Sequence, residues 1–165
     1  MGIPNLIVNF LSRKEISEIT ININANWPQI AVPKIKKMKA CEIGDKGRIL
    51  IGDNIVAVEL SNHAIIPHLS QENILRYFPY ITVDMGAVKF VCNGADIMRP
   101  GIVDFSPFKE TSIVIIRDQI HQKALAIGLS KIDYSQAIKM EKGVIFSNLH
   151  HVGDLYWEVK KEIKY

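Results

Sequence analysis

The spacing of hydrophobic residues predicts a helix near the start of the chain. Ser12 and Glu15 have the spacing of a capping box, and Pro28 marks the far boundary of the segment. Between them, hydrophobic residues recur at helical intervals: Ile16, Ile19, Ile23 and Trp27. The β-branched residues in this segment also alternate with polar ones, so the competing interpretation is a strand.

From residue 35 to residue 60, short apolar runs separated by turns replace the helical pattern. Gly52-Asp53-Asn54 lies between two runs rich in β-branched residues, which is typical of a hairpin. A second glycine-containing break, at residues 44–47, lies within the same region. We therefore expect a β meander between the predicted helix and residue 60.

A short helix and a domain boundary are predicted after the meander. Ser70 is expected to cap a helix that continues to Phe78, and Pro79 is expected to end it, because proline cannot continue a helix. The pattern of short strands resumes directly afterwards. The sequence therefore predicts a first domain of residues 1–79 and a second domain of residues 80–165.

The segment 83–102, which we call the knuckle, combines a strand end, a short helix, a glycine and a second short strand. Asp84 offers a carboxylate to the first free amides of the predicted helix. The apolar stripe of this helix consists of Ala87, Val88 and Val91. Gly94 suits the left-handed conformation that closes a helix, and Pro100-Gly101 predicts a turn after a strand over 96–98.

Strand-like runs continue beyond the knuckle to the end of the chain. Segments 112–117 and 123–130 predict a second hairpin, and segment 134–140 predicts one or two helical turns. Segments 143–146 and 155–159 predict two further strands, the latter closing the sheet. So many short strands with such frequent turns predict a small closed or nearly closed barrel.

The knuckle resembles the beginning of a PUA domain, an RNA-binding module named for pseudouridine synthases and archaeosine transglycosylases. The resemblance is carried by the motif Asp-x-Gly-Ala-x-x-x-Val-x-x-Gly-Ala-x-Ile-Met-x-Pro-Gly-Ile, which begins at Asp84. Further matching positions follow along the chain: Ala126-Ile127-Gly128, Ser130, Lys142-Gly143-Val144, Gly153-Asp154 and Trp157. Residues 66–79 are similar to the region ahead of the PUA domain in the malignant T-cell amplified sequence family of translation factors.

The resemblance implies an α+β chain, with a small N-terminal α/β-meander domain followed by a PUA-type β-barrel with short helices. It also implies that the knuckle helix and the strand after it hold a short single-stranded or terminal segment of RNA. The RNA-binding residues carried over by position are Lys89, Asn93, Gly94, Ala95, Met98, Arg99, Pro100, Gly101 and Ile102. The alternative is that Met98 and Ile102 belong to the core and that the glycines serve only the turns.

The function implied by the resemblance is RNA binding in translation without catalysis. The expected RNA is a tRNA, including its 3′ CCA end, or a ribosomal RNA, and the expected further partners are the small ribosomal subunit or another translation factor. Two alternatives stay open at this point. The chain could deliver RNA to a separate RNA-modifying enzyme, or it could be a protein-interaction adaptor.

The charge of the whole chain adds little to this picture, but one run of lysines stands out. Twenty basic and seventeen acidic side chains give a net charge of +3, too small to indicate a nucleic-acid partner by itself. Lys34, Lys36, Lys37 and Lys39 are concentrated in one short segment. An alternating strand there would place Lys34, Lys36 and Met38 on one face. The lysines would then either contact phosphates or protect a solvated strand edge.

The sequence contains no pattern typical of an enzyme or a metal site. Cys41 and Cys92 are far apart, with no C-x-x-C spacing, and phosphate-binding glycine motifs are absent. His150 and His151 are adjacent, so in a strand they point to opposite faces and cannot share a metal ion. We predict no catalysis, metal or cofactor, and a cytoplasmic protein without membrane segments, because no apolar run approaches ~18 residues.

The lysine run generates a first testable prediction. If it contacts phosphates, replacing Lys34, Lys36, Lys37 and Lys39 by alanine will flatten the salt dependence of RNA binding. The logarithm of the affinity falls by about 0.7 per contacted phosphate per log unit of salt for single strands. Binding measured over a series of salt concentrations checks this, and an unchanged slope would assign the lysines to solvation alone.

Overall fold

Two β-sheets organise residues 6–164, the part of the chain that the computed structural model describes. The first sheet keeps its strands in chain order: β1 (Val8–Phe10), β2 (Met38–Glu42), β3 (Gly47–Gly52), β4 (Val56–Leu60) and β5 (Ile65–Pro67). The second contains β6 (Tyr80–Val83), β7 (Ile97–Met98), β8 (Ile102–Phe105), β9 (Ile113–Asp118), β10 (Ala124–Ser130) and β11 (Val144–His151). The helices are α1 (Arg13–Asn26), α2 (Glu72–Leu75), α3 (Met85–Val91), α4 (Tyr134–Ala137) and α5 (Leu155–Glu162).

Helix α1 forms where its sequence predicts it, and the competing strand is wrong. The Ser12 hydroxyl accepts from the Glu15 amide at 3.2 Å, while the Glu15 carboxylate accepts from the Ser12 amide at 2.8 Å. This reciprocal cap satisfies two amides that the first turn leaves free. Ile16, Ile19 and Ile23 are buried on one face, while Ile21 is 67% exposed. The helical period therefore decides the structure over the β propensity of these residues.

The predicted meander is confirmed, with one correction at its start. Strands β2, β3 and β4 pair antiparallel in succession, and Ile51 faces Val56 across the predicted hairpin. Strand β2 begins only at Met38, which is 1% exposed, whereas Lys34 and Lys36 lie exposed on irregular backbone before it. Placing Met38 on one face with these lysines was therefore wrong, because its side chain belongs to the core.

The second sheet is curled into a half-barrel. Its spatial order is β7-β11-β10-β9-β6-β8, antiparallel throughout except for the parallel pair of β6 and β9. The two edge strands β7 and β8 are joined by a single 3-10 turn, Arg99–Gly101, so the edges of the sheet lie close together. This agrees with the nearly closed barrel predicted from the sequence.

Three predicted elements differ from the structure. The predicted closing strand over 155–159 is helix α5, because the Asp154 carboxylate caps it by accepting from the Trp157 amide at 2.8 Å. Helix α2 starts at Glu72 rather than after a Ser70 cap, because the Ser70 hydroxyl is hydrogen-bonded to the His68 ring. Strand β11 runs from Val144 to His151 and is longer than predicted.

Helix α5 packs on the first sheet although it follows the second in the chain. Val159 and Ile163 are buried in a cluster with Cys41, Ile49 and other residues of β2 to β4. A larger core cluster joins Ile113, Ile115 and Ile127 of the second sheet to side chains of α1 and the first sheet. The division into two domains at Pro79 stays a prediction, but the two sheets share buried surface.

A polar network fixes the junction between the sheets. The Leu69 amide donates to His150 Nε2 at 3.2 Å, and His150 Nδ1 lies 2.7 Å from the Asp154 carboxylate. Nε2 of His150 is therefore an acceptor, and Nδ1 donates its proton to Asp154. His150 is fully buried, so these two bonds satisfy both nitrogens of the ring.

His68 completes this network from the first sheet. The Ser70 amide donates to His68 Nδ1 at 3.0 Å, which leaves Nε2 to donate to the Tyr156 carbonyl at 3.2 Å. Burial, with the neighbouring His150 adding to it, lowers the pKa of His68 from its ordinary 6.5 to about 4. The hydrogen bonds of both rings thus connect the segment after β5 to β11 and α5.

The His68 environment predicts that acid weakens the fold. Because the pKa of His68 is about 4 in the folded chain and 6.5 in the unfolded chain, the unfolded state binds more protons between these values. The free energy of unfolding should therefore fall by up to about 3 kcal/mol as the pH drops from ~6.5 to ~4. Denaturant unfolding at a series of pH values measures this change.

Two variants separate His68 from the other titrating groups. His68→Gln retains an acceptor and a donor but cannot titrate, so it should reduce the pH dependence in this window. His63→Asn is the matched control, because the His63 side chain is 87% exposed and asparagine tolerates its positive φ of 68°. If His68→Gln keeps the full pH dependence of the original chain, the assignment to His68 is wrong.

Candidate nucleic-acid interface

The knuckle forms a short capped helix that is closed by a glycine, as its sequence predicts. The Asp84 carboxylate accepts from the Ala87 amide at 2.9 Å at the start of α3. Gly94 has a φ of +89°, the left-handed conformation expected at this position. A Cβ atom at Gly94 would also lie 3.1 Å from Nε2 of His151, so backbone conformation and close packing both favour glycine here.

Asn148, which the sequence did not single out, holds the knuckle against strand β11. Its side-chain amide donates to the carbonyls of Val91 and Ala95, each at 3.0 Å. Its backbone amide donates to the Asp96 carboxylate at 3.0 Å. These bonds fix the turn between α3 and β7 from three directions. The predicted strand ended at residue 146, so no signal in the sequence indicated this role, which became visible only when β11 extended to His151.

An apolar groove of about 390 Å³ lies between α3, β7 and the 3-10 turn that follows. Val83, Val91 and Ile97 are buried at its base. Phe90 and Met98 stand at its margin and are 61% and 47% exposed. Exposed large apolar side chains beside a groove are typical of a binding surface, because a folded chain gains nothing by leaving them in water.

Apart from Arg99, the structure separates the predicted RNA-binding residues into three groups. Four of them line the groove: Ala95, Met98, Pro100 and Gly101. Lys89, Asn93 and Gly94 are exposed on the adjoining helix and turn. Ile102 is 5% exposed and packs in the core of the half-barrel, so its side chain cannot contact a ligand in this conformation.

Arg99 braces the knuckle instead of extending into the groove. Its Nε donates to the Ala137 carbonyl at 3.1 Å, and Nη1 donates to the Ile102 carbonyl at 3.2 Å. The guanidinium group also lies over the Phe105 ring, 4.9 Å from its centroid. The side chain therefore connects the 3-10 turn to α4 and β8, and its donors are directed at the protein backbone.

The lysine run lies away from the groove, whereas His151 lies beside the knuckle. Lys34, Lys36 and Lys37 are exposed ahead of β2, while Lys39 places Nζ 4.8 Å from the centroid of Phe10. None of these lysines lines the groove. His151 lies beside Gly94 with Nδ1 bonded to the Val152 carbonyl, so Nε2 faces the knuckle as an acceptor.

Metal binding and membrane insertion receive no support from residues 6–164. In this range no three or more histidine, cysteine, aspartate or glutamate side chains are grouped so that they could hold a metal ion. His150 is buried while the neighbouring His151 is partly exposed, as their alternation in a strand predicts. Within the same residues, no helix has the length and hydropathy that a membrane span requires.

Comparison with known proteins identifies relatives along most of the chain. Residues 79–152 match the family model of the PUA domain. An uncharacterized protein of Methanocaldococcus jannaschii is 31% identical over 157 residues, which cover 92% of this chain and 95% of that protein. Translation machinery-associated protein 20 of Saccharomyces cerevisiae is 30% identical over 79% of this chain and 77% of its own length. Malignant T-cell-amplified sequence 1 of Rattus norvegicus is 35% identical over 53% of this chain and 52% of its own length.

Solved structures show the same fold. A crystal structure of a PUA domain from Aeropyrum pernix K1 superposes with a TM-score of 0.82 at 21% identity and covers 95% of this chain and 92% of that one. A hypothetical protein from Pyrococcus horikoshii OT3 superposes with a TM-score of 0.77 at 27% identity, over 93% of this chain and 99% of that one. Both similarities extend across the two sheets.

The contacts of Arg99 predict that its replacement lowers stability. Arg99→Ala removes two hydrogen bonds from a charged donor, to the carbonyls of Ala137 and Ile102, so the free energy of unfolding should fall by about 2 kcal/mol. Arg99→Lys should recover only part of this loss, because an ammonium group cannot reproduce the guanidinium fork. Lys89→Ala, at an exposed position of the same knuckle, is the control for denaturant unfolding. An Arg99→Ala chain as stable as the original would contradict the bracing role.

Proposed function

This chain belongs to the PUA-domain family that includes translation machinery-associated protein 20 and the malignant T-cell-amplified sequence proteins, and we propose that it binds RNA in translation without catalysing a reaction. The apolar groove of the knuckle is the proposed binding site. The observation that carries the proposal is the pairing of this groove with exposed Phe90 and Met98 inside the segment that matches the PUA model.

The chemistry of the groove suits an unpaired nucleotide. Single-stranded RNA exposes the faces of its bases, which stack on aromatic and apolar side chains. Phe90 and Met98 offer such surfaces on either side of the opening. A duplex presents its phosphates outside and its bases inside, so it cannot bring a base into a groove of this kind. The proposed ligand is therefore a short unpaired segment or a free end.

The polar surroundings supply contacts for the RNA backbone. Lys89 is exposed on α3 beside Phe90 and can approach a phosphate. Asn93 and Gly94 lie exposed on the turn, next to the free acceptor of His151. We assign contacts to the RNA backbone to these residues, and contacts to the base to Ala95, Met98, Pro100 and Gly101. Arg99 and Ile102 hold the groove in shape.

The finer part of the proposal concerns the RNA and the place of action. We infer that the groove takes the unpaired 3′ end of a tRNA, or an unpaired segment of ribosomal RNA, on the small ribosomal subunit or with another translation factor. Such a role places the protein in the cytoplasm. Two of the relatives are named as proteins associated with the translation machinery, which favours this role over delivery of RNA to a modifying enzyme.

Variants at the margin of the groove test the site. Phe90→Ala and Met98→Ala should each weaken binding to a short RNA with an unpaired 3′ end by about fivefold to a hundredfold, the usual loss for one stacked base. Stability should hardly change, because both side chains are largely exposed. Ile30→Ala is the matched control, an apolar side chain that is 75% exposed in the first half of the chain.

A second RNA, identical but with its 3′ end sealed in a duplex, tests the requirement for an unpaired end. The original chain should bind it poorly, and the two margin variants should bind it no worse than the original does. Equal binding of the open and sealed RNA would overturn the assignment of an unpaired ligand. Full affinity in both margin variants would show that the groove is not the binding site.

A further inference from the structure

A second concave site lies at the junction of the two sheets, away from the knuckle. It is a cleft of about 350 Å³ between helix α2 and the hairpin of β9 and β10. Its walls are apolar and include Leu75, Tyr80 and Ile115, while Arg76, Arg117 and Lys123 line its opening. No residue lines both this cleft and the groove of the knuckle.

Arg117 is held in the cleft by the alternation of strand β9. Ile113 and Ile115 face the first sheet, while Val114 and Ile116 fill the half-barrel. Arg117 continues the outer row at the edge of the shared core, with its guanidinium 3.3 Å from the centroid of the Tyr80 ring. Its Nε is buried and has no acceptor within residues 6–164. A buried donor of this kind favours a ligand atom that can accept its hydrogen bond.

Two further cations converge on the same opening. Arg76 stacks on Tyr77, 4.8 Å from the ring centroid, and donates to the Tyr77 hydroxyl at 2.8 Å. Lys123 follows a tight loop at the end of β9. Among residues 6–164, no carboxylate forms an ion pair with Arg76, Arg117 or Lys123. The three positively charged side chains that line the cleft are therefore not paired with carboxylates of these residues.

Asp118 fixes the loop that presents Lys123. Its carboxylate accepts from the amides of Ile120, His121 and Lys123, at 2.9, 2.6 and 3.1 Å. Burial acts to raise the pKa of Asp118, but these amide bonds outweigh it, so the pKa lies below its ordinary value. The ionised carboxylate is thus held by backbone amides, and among residues 6–164 it forms no ion pair with Arg76, Arg117 or Lys123.

We propose that this cleft binds one nucleotide unit of single-stranded RNA. The phosphate lies between Arg76 and Lys123, and the base packs against the guanidinium group of Arg117, which donates to a base or phosphate oxygen. Guanidinium planes stack on bases and bind phosphates, which suits a ligand with both parts. The volume of the cleft lies near the lower end of the ~300 to 1,000 Å³ that is usual for small-ligand sites. It is large enough for one nucleotide but too small for a duplex.

The chemistry of the opening favours RNA over an acidic peptide. Glu72 also lines the cleft, and its carboxylate finds no side-chain donor on an acidic peptide, because ionised carboxylates only accept hydrogen bonds. The same carboxylate can accept from the exocyclic amino group of cytosine.

The site adds to the RNA binding proposed for the knuckle. Because the two sites share no lining residue, either can fail without the other.

Amide and arginine side-chain NMR signals of the full chain test the cleft. Cytidine monophosphate, inorganic phosphate and a short polyglutamate peptide are titrated separately. Cytidine monophosphate should shift the Arg117 Nε–H signal and the amides of 121–124, and inorganic phosphate should shift them less at equal concentration. Lys123→Gln and Arg117→Gln should each raise the Kd for cytidine monophosphate about tenfold, the usual loss for one charged hydrogen bond.

Two control variants make the outcome specific. Lys131→Gln, an exposed lysine outside the cleft, should leave the titration unchanged. Ile30→Ala, at an exposed apolar position outside both sites, should also leave it unchanged, and following the cleft signals separately from those of the knuckle distinguishes failure of one site from failure of the other. The proposal is overturned if cytidine monophosphate shifts no cleft signal, if inorganic phosphate shifts them equally, or if polyglutamate binds and the nucleotide does not. Unchanged affinity in both Arg117→Gln and Lys123→Gln would likewise remove these residues from a nucleotide site.

Discussion

The double burial of strand β9 is the constraint on which the rest of the structure depends. Val114 and Ile116 fill the half-barrel, while Ile113 and Ile115 pack against the first sheet and α1. Because successive side chains of a strand point to opposite faces, a shift of one residue in this strand would exchange the two cores. One strand therefore fixes the inside of the second sheet and its docking on the first.

Both proposed binding sites lie where this packing ends. The knuckle covers one end of the half-barrel, and Arg99 and Asn148 hold its backbone by hydrogen bonds to four carbonyls. The cleft opens where the outer row of β9 passes from Ile115 to Arg117 and the shared core stops. In each case a rigid, largely apolar wall is bordered by polar groups at its opening, so the chain loses little conformational freedom when a ligand binds.

Much of the candidate site could be predicted from local sequence, and the remainder required long-range contacts. The cap at Asp84 and the left-handed Gly94 follow from residue type and spacing, whereas Met98 was named from the family resemblance. The inward turn of Arg99 depends on a carbonyl that lies 38 positions away in the chain. The role of Asn148 depends on carbonyls that lie 57 and 53 positions away. No local pattern encodes such partners, since they are brought together only when β11 and α4 pack on the knuckle.

The sequence by itself determined the first helix, the meander, the second hairpin and the resemblance to a PUA domain, because caps, periodicity and turn residues act over a few positions. Only the tertiary structure decided where residues 155–162 pack. The Asp154 cap is a local helix signal, but the burial of Val159 on the first sheet depends on strands that are distant in the chain. The tertiary structure likewise decided that Ile102 is buried in the core and that Arg117 stacks on Tyr80. Burial depends on contacts between segments that are far apart in the chain, so local sequence does not determine it.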